Sequence, residues 1–530
     1  MSVETVDAVV VGAGQNGLVA ANVLADAGWD VLVLEAADVP GGSVASAEIT
    51  APGFRSDLCS AFYPLGVASP VFAELDLGDY GLRWRRAPAV LAHVLPDQRV
   101  AVVWPDAERT AESVAAFAPA DAAAWQAEVA DWQRLRTDLL DALLRPFPPV
   151  RAGARLLRRV GTADALRLVR RLTLSVRRLG EERFAGAGAR LLYAGNALHT
   201  DLGPDVAGSA AFGWLLAMLA QDVGFPVPEG GADQITGALL RRLTARGGRV
   251  ECGRRVSEVL VAGGRALGVR DAAGQPVRAR HAVLADVPAP ALYRELVAAH
   301  HLPARLLADL DGFQWDNSTI KVDWALSTPI PWLDERVGRS AVVHLGTDLD
   351  GLSTFSAELT NKTVPRDPFV ILGQMTTSDP SRSPEGTEVV WAYTHVPRGI
   401  RWSGDDLRRA ADRLEQVIQR HAPGFTDRVL ARSVQGPADL EGHNRSLVEG
   451  AINAGTAAIH QQLVLRPVPG LGRADTPVDR LFLASASAHP GGGVHGACGA
   501  NAARAALARA GLGGAAYAAA VRAAHRLIYS

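Results

Sequence analysis

At 530 residues the chain exceeds what one ordinary hydrophobic core sustains, so two domains are expected. Hydrophobic residues make up 48% of it and charged ones 21%, which excludes wholesale disorder, and a formal net charge of -2 gives no reason to expect a nucleic-acid partner. Cys59, Cys252 and Cys498 lie far apart with no CxxC pair, which speaks against a disulfide framework, a metal site and a redox disulfide, and fits a reducing cytoplasm.

The N-terminal Met1–Asp7 is acidic and enters the first strand at once, so no signal peptide is expected. Asp7–Val11 is a short β-branched run suited to a strand buried on both faces of a parallel sheet. Asn16–Ala27 has helical composition and stops at Gly28, and Trp29–Leu34 is a second strand ending in Glu35. The glycine motif therefore sits inside a βαβ unit, the context that gives it meaning. Gly12 permits the tight turn, Gly14 lets backbone approach a pyrophosphate, and Gly17 lets the helix pack closely on the strand. Gln15 and Asn16 open a helix whose free N–H groups face the phosphates. Glu35, followed by Ala36, can accept both adenosine ribose hydroxyls and would repel a 2′-phosphate, so NADP is the least favoured dinucleotide. Gly41-Gly42-Ser43 brings the backbone past the cofactor a second time, as a long extended FAD requires.

Residues 9–43 resemble the FAD-binding segment of the flavin-containing amine oxidase and phytoene desaturase superfamily. The resemblance implies a Rossmann-type α/β FAD-binding domain, discontinuous in sequence, with an α+β substrate domain. The expected division is 1–105, 207–300 and 476–530 for the FAD part, with a helical region at 106–206 and the substrate domain at 301–475.

Arg151–Arg183 carries ten arginines among Leu and Val. One reading is a basic face lying on anionic lipid, which would make the protein membrane-associated. The other is a solvated helical face whose arginine stems cover apolar surface. The longest apolar stretch, Ala210–Ala220, falls well short of the roughly 20 residues a spanning helix needs. A helix from Asp233 to Gly247 and strands at Arg249–Glu251, Arg255–Ala262, Arg265–Asp271 and Arg280–Ala285 follow. The resemblance implies that Val256 places its backbone beside the adenine.

Ser318–Leu326 is a strand holding Lys321 among apolar neighbours, and a buried ammonium needs a partner or a task. In the amine oxidases a lysine on a similar strand holds a water against flavin N5, which makes Lys321 the first candidate to face the flavin. The alternative is a lysine pointing to solvent on an alternating strand. Further strands are expected at Phe369–Met375 and Glu388–Val396, and a helix at Asp405–His421.

Leu481–Leu483 is a strand, and Gly491–Val494 is expected to start a helix running to Leu507, its N-terminus aimed at the flavin. Gly493, Val494 and His495 would then touch the cofactor. Many superfamily members have an acidic residue after this strand where the chain has Ala484-Ser485, so Ser485 would supply a weaker ribityl hydrogen bond. His489-Pro490 stands where amine oxidases have Tyr-Pro, one wall of their aromatic cage. His489 is either an acid or base at the flavin or a side chain satisfied by backbone carbonyls.

Segments including Phe62–Leu65, Gly195–His199 and Phe225–Gly231 resemble bacterial phytoene-dehydrogenase-like oxidoreductases, the branch that includes the pyridine nucleotide-disulphide oxidoreductase domain proteins. This implies an FAD-dependent oxidoreductase taking hydride from a C–H bond of a lipophilic small molecule, with oxygen, a quinone or NAD as electron acceptor. Alternatives are an amine- or imine-forming oxidase using Lys321, a flavin-dependent isomerase or saturase, and a flavin- or lipid-carrying protein without turnover.

Overall fold

The computed structural model describes residues 3–530; Met1 and Ser2 of the acidic N-terminal stretch lie outside the described residues. Two seven-stranded sheets organise the chain. In the first, Glu4–Val11 lies parallel between Val31–Leu34 and Pro276–Ala285, and Arg249–Glu251 extends the sheet beyond Val31–Leu34. On the other side Leu481–Leu483 adds in parallel to the carboxyl end of Pro276–Ala285. That strand's first half instead pairs antiparallel with Arg265–Asp271, which pairs with Val256–Ala262. The parallel centre is apolar, with Ala8–Val11, Val31–Leu34, Ala282–Ala285 and Leu481–Leu483 buried because both faces are covered. This is the discontinuous Rossmann-type sheet expected from the sequence.

The second sheet runs Val429–Gln435, Ser318–Leu326, Glu388–Val396, Val370–Gln374, Ser340–Leu345, Ala89–Val94, Val100–Val103. Alternation on its strands sorts the side chains by face. Val322, Trp324 and Leu326 pack with Leu414, Val417 and Ile418 of the helix Gly404–His421. That helix is held at its start by a capping box between Ser403 and Asp406. The opposite face meets a helical layer in which Ala187–Ala197 and Ser209–Val223 pack on each other and on Trp125 and Trp132.

Two boundaries differ from expectation. Ala89–Val94 and Val100–Val103 belong to the second sheet, because Ala89–Val94 pairs in parallel with Ser340–Leu345, so the chain leaves the FAD part well before residue 105. The helix Ser209–Val223 joins the helical layer rather than the FAD part, since its Trp214, Ala217 and Met218 are buried in that core. The C-terminal helix also begins later than expected, at Ala497. Gly491, Gly493 and Gly496 all take positive φ (111°, 113° and 71°), so 491–496 is a turn and Gly496 the helix boundary.

Most arginines of 151–183 are paired. Arg155 and Arg159 meet Asp138, Arg170 and Arg178 meet Glu182, Arg171 and Arg183 meet Glu128, and Arg177 bridges Asp205 and Asp350. Among the described residues no helix is long and apolar enough to cross a membrane, and no cluster of metal-ligating side chains occurs.

Candidate functional site

The first part of the site is the turn between Glu4–Val11 and the helix Gln15–Asp26. Side chains at its glycines have no room. A Cβ on Gly17 would lie 2.1 Å from the Gly12 carbonyl oxygen, and one on Gly14 would lie 2.8 Å from Asp286 Oδ2. Gly41 approaches from the other side, its N–H donating to the Ala13 carbonyl at 2.9 Å. Gly41 and Gly42 both take positive φ (127° and 57°). Gln15 and Asn16 are buried at the helix start, where Gln15 Oε1 and Asn16 Oδ1 have no partner.

Glu35 closes the far end of the turn. Its carboxylate accepts from the Ala13 N–H at 2.6 Å and the Ala37 N–H at 2.8 Å, and Ala36 lies between. The Arg254 N–H donates to the Glu35 carbonyl, which draws the start of Val256–Ala262 alongside. Val256 packs with Val11 and Leu34 in one cluster, so it stands close to Glu35 at the end of that strand.

Sequence reasoning missed Asp286, which follows Pro276–Ala285 at the carboxyl end of a parallel strand, the ligand-binding edge of such sheets. Its Oδ2 accepts from the Gly17 N–H at 2.8 Å. Burial pushes this carboxyl up to about 7, the Gly17 hydrogen bond opposes the rise, and the Glu35 charge adds to it. The folded state thus keeps a proton that an unfolded aspartate, near 3.9, gives up. Its contribution to stability is present in full below about pH 4 and is lost as pH rises through about 7. Asp286→Asn is therefore expected to be more stable than the parent at pH 8, by a few kcal/mol, and equal to it near pH 4. Denaturant unfolding of the flavin-free protein at the two pH values checks this; parallel pH profiles would remove Asp286 from the account.

The C-terminal turn lies directly against this grip. A Cβ on Gly499 would fall 1.9 Å from the Asn16 carbonyl oxygen, so the helix Ala497–Ala510 rests on the phosphate helix with no side chain between them. His495 shapes the turn, its Nδ1 accepting from the Ala497 N–H at 3.0 Å while Ser69 donates to its carbonyl at 2.7 Å. Gly493 is exposed and Val494 half-buried. Ser485 is buried, its Oγ accepting from the Ser487 N–H at 3.3 Å. His489 turns away from the grip, with Nε2 3.0 Å from the Arg145 carbonyl and its ring edge-on to Phe147. Burial holds it at about 4, so it is neutral at pH 7. This is the backbone-satisfied alternative for His489. Cys498, pushed up to about 12 by burial, packs between the Ala488 and Gly491 carbonyls as an inert thiol.

Lys321 is not on a solvent face. It is 3% exposed and ion-paired with the fully buried Asp323. The period of two places both on the inner face of the strand, a signal legible in Lys321-Val322-Asp323 that sequence reasoning missed. Burial pushes Asp323 up, and Lys321 opposes that. Burial pushes the Cys59 thiol up to about 12, with the Lys321 charge opposing the rise and the Asp323 charge adding to it. Asn444 Nδ2 donates to Ser43 Oγ at 2.9 Å. The helix Pro437–His443 packs against the Lys321 strand, and His443 and Asn444 reach Gly42 and Ser43, so this helix joins the two regions.

Residues 17–507 match the family described as flavin containing amine oxidoreductase. The chain belongs to that family. Its cofactor is FAD, and the glycine cradle and the Glu35 carboxylate fit it. The mouse protein named pyridine nucleotide-disulfide oxidoreductase domain-containing protein 2 is 28% identical over 544 residues, covering 94% of this chain and 92% of that protein. A neurosporene-forming phytoene desaturase of Rhodobacter capsulatus is 26% identical, covering 92% and 91%. The crystal structure of an oxidoreductase from Methanosarcina mazei shares the fold at a TM-score of 0.61 and 17% identity, covering 94% of this chain and 99% of that one. The chain is a flavin-containing oxidoreductase of the amine oxidase and phytoene desaturase type.

Proposed function

We propose that this family member is a dehydrogenase of the desaturase kind, removing hydride from a C–H bond of an apolar or isoprenoid-like small molecule. The observation that carries the reading is the buried Lys321–Asp323 pair on a sheet face otherwise lined by Trp391, Tyr393 and Phe62. When bound, FAD supplies the hydride acceptor at N5. Lys321 then donates from Nζ to a water, and that water can take the proton that leaves with the second hydrogen, while Asp323 holds the ammonium in place. The aromatic wall favours apolar substrate and excludes bulk water. The amine-oxidase alternative loses support because His489 is bound to a backbone carbonyl and builds no cage. The paired arginines of 151–183 support a solvated face over a lipid-binding one.

Lys321→Met is the direct test. FAD content should be unchanged, while anaerobic flavin bleaching by an isoprenoid substrate slows by about 10²–10⁴-fold, the span of acid–base assistance. A variant that bleaches within a few-fold of the parent would take Lys321 out of the chemistry. Bleaching by amines alone would replace the reading with the amine-oxidase one. Reoxidation by oxygen, a quinone or NAD identifies the electron acceptor.

A further inference from the structure

Strand pairing sets His93, His344, Ile371, Tyr393 and Lys321 in one line across the inner face of the second sheet. From Lys321 to His344 is three strand spacings, about 14 Å. Aromatic side chains bound the space beside this line. The Tyr393 and Trp391 rings lie 5.9 Å apart, Trp391 and Phe62 5.8 Å, Phe62 and Phe225 6.4 Å, and Phe225 and His199 6.2 Å. His199, Tyr393 and Phe62 keep some accessible surface, whereas Phe225, Trp391, His344 and Lys321 around them are buried.

Hydrogen-bond accounting assigns the protons on the histidines. His199 Nε2 is 2.9 Å from His344 Nε2, so one of these nitrogens carries the hydrogen and the other accepts it. His344 Nδ1 is buried against Gly195, where a Cβ would come within 2.3 Å, and it has no partner. A hydrogen there would be an orphaned buried donor, a costly and rare fault in native folds. His344 therefore donates from Nε2. His199 Nε2 accepts, and His199 carries its own hydrogen on Nδ1. Burial keeps both rings neutral, with His199 at about 4 and His344 well below its ordinary value. The recorded hydrogen bond of His199 is the one at Nε2, so its Nδ1–H is left without a protein partner among the described residues on a side chain that keeps accessible surface. The cation of this line, Lys321, is already paired with Asp323.

We infer that His199 is a substrate-recognition residue, donating from Nδ1 to a neutral carbonyl or hydroxyl oxygen of an elongated, otherwise apolar substrate whose reacting C–H lies at the Lys321 end. This deepens the proposed function and rests on it. A bare hydrocarbon would displace water from the Nδ1–H and leave it unpaired, so the site discriminates against substrates lacking the oxygen. Ile371 between the two ends keeps the middle of the path apolar.

The test uses the FAD-loaded protein, titrated anaerobically with farnesol and separately with farnesene, binding being read from the flavin absorbance spectrum. Farnesol is expected to bind at least about ten-fold more tightly, the worth of one buried hydrogen bond. His199→Phe should bring the two affinities to near equality with FAD content unchanged, and His199→Gln, which keeps an N–H, should retain part of the preference. Equal binding by the parent, a spectrum that responds to neither compound, or a preference surviving in His199→Phe would overturn the assignment. Failure of the proposed function looks different: flavin that stays oxidised with every substrate while the farnesol preference persists.

Discussion

Arg382→Ala is expected to destabilise the protein by about 3–5 kcal/mol, the cost of leaving buried charge uncompensated. Arg382 has a side chain with 0% exposure, and so has its partner Asp57, which it meets at 2.9 Å. Its Nε donates to Asp379 at 3.1 Å, and it also reaches the Pro228 carbonyl at 3.2 Å. The two carboxylates are further committed, Asp57 to Ser46 and the Ala232 N–H, Asp379 to the Gly230 N–H. One guanidinium therefore ties the Ser56–Asp57 strand to the loop before Glu388–Val396 and to the entry of the Asp233–Ala245 helix. Against a total stability of about 5–15 kcal/mol this loss is severe. Denaturant midpoints measure it. Arg382→Met combined with Asp57→Asn should recover part of the loss, because the stranded charge is reduced; a single variant within about 1 kcal/mol of the parent would show that the carboxylates find other partners.

Gly499→Val is expected to abolish tight FAD binding. Even a bare Cβ would sit 1.9 Å from the Asn16 carbonyl oxygen and 3.1 Å from the Ala20 nitrogen, both backbone atoms that cannot move aside alone. The helices Gln15–Asp26 and Ala497–Ala510 must separate, at a cost at or beyond the roughly 1–3 kcal/mol typical of overpacking. The separation opens the grip at its phosphate end. The purified variant should be colourless and show little rise in flavin retention when FAD is added in excess. Yellow protein with a parental absorbance ratio would mean that the contact is dispensable.

The sequence made the FAD part legible because its demands are local: a glycine turn, a helix start and an acid at the end of the next strand fall within 35 residues. Leu481–Leu483 and its glycine turn were also readable, though the late start of the helix at Ala497 was not, since positive φ at Gly496 depends on packing against Phe72 and Val19. The Asp323 partner of Lys321 was available from strand period alone. Asp286, Cys59 and His199 were not, because each acquires meaning from a neighbour more than a dozen residues away: Gly17, Lys321 and His344. The same limit explains Ala89–Val94, an apolar strand whose allegiance is decided by Ser340–Leu345.

The contact of Gly499 with Asn16 sets an order in time. The Glu4–Val11 strand, its glycine turn and Glu35 emerge first during synthesis, but the surface that completes their grip is supplied by residues 481–510, close to the other end of the chain. Until then the second sheet and helical layer, made wholly from residues between these ends, can assemble without it. A nascent or truncated product that lacks those residues is therefore expected to form the second sheet while leaving the glycine grip without its C-terminal wall.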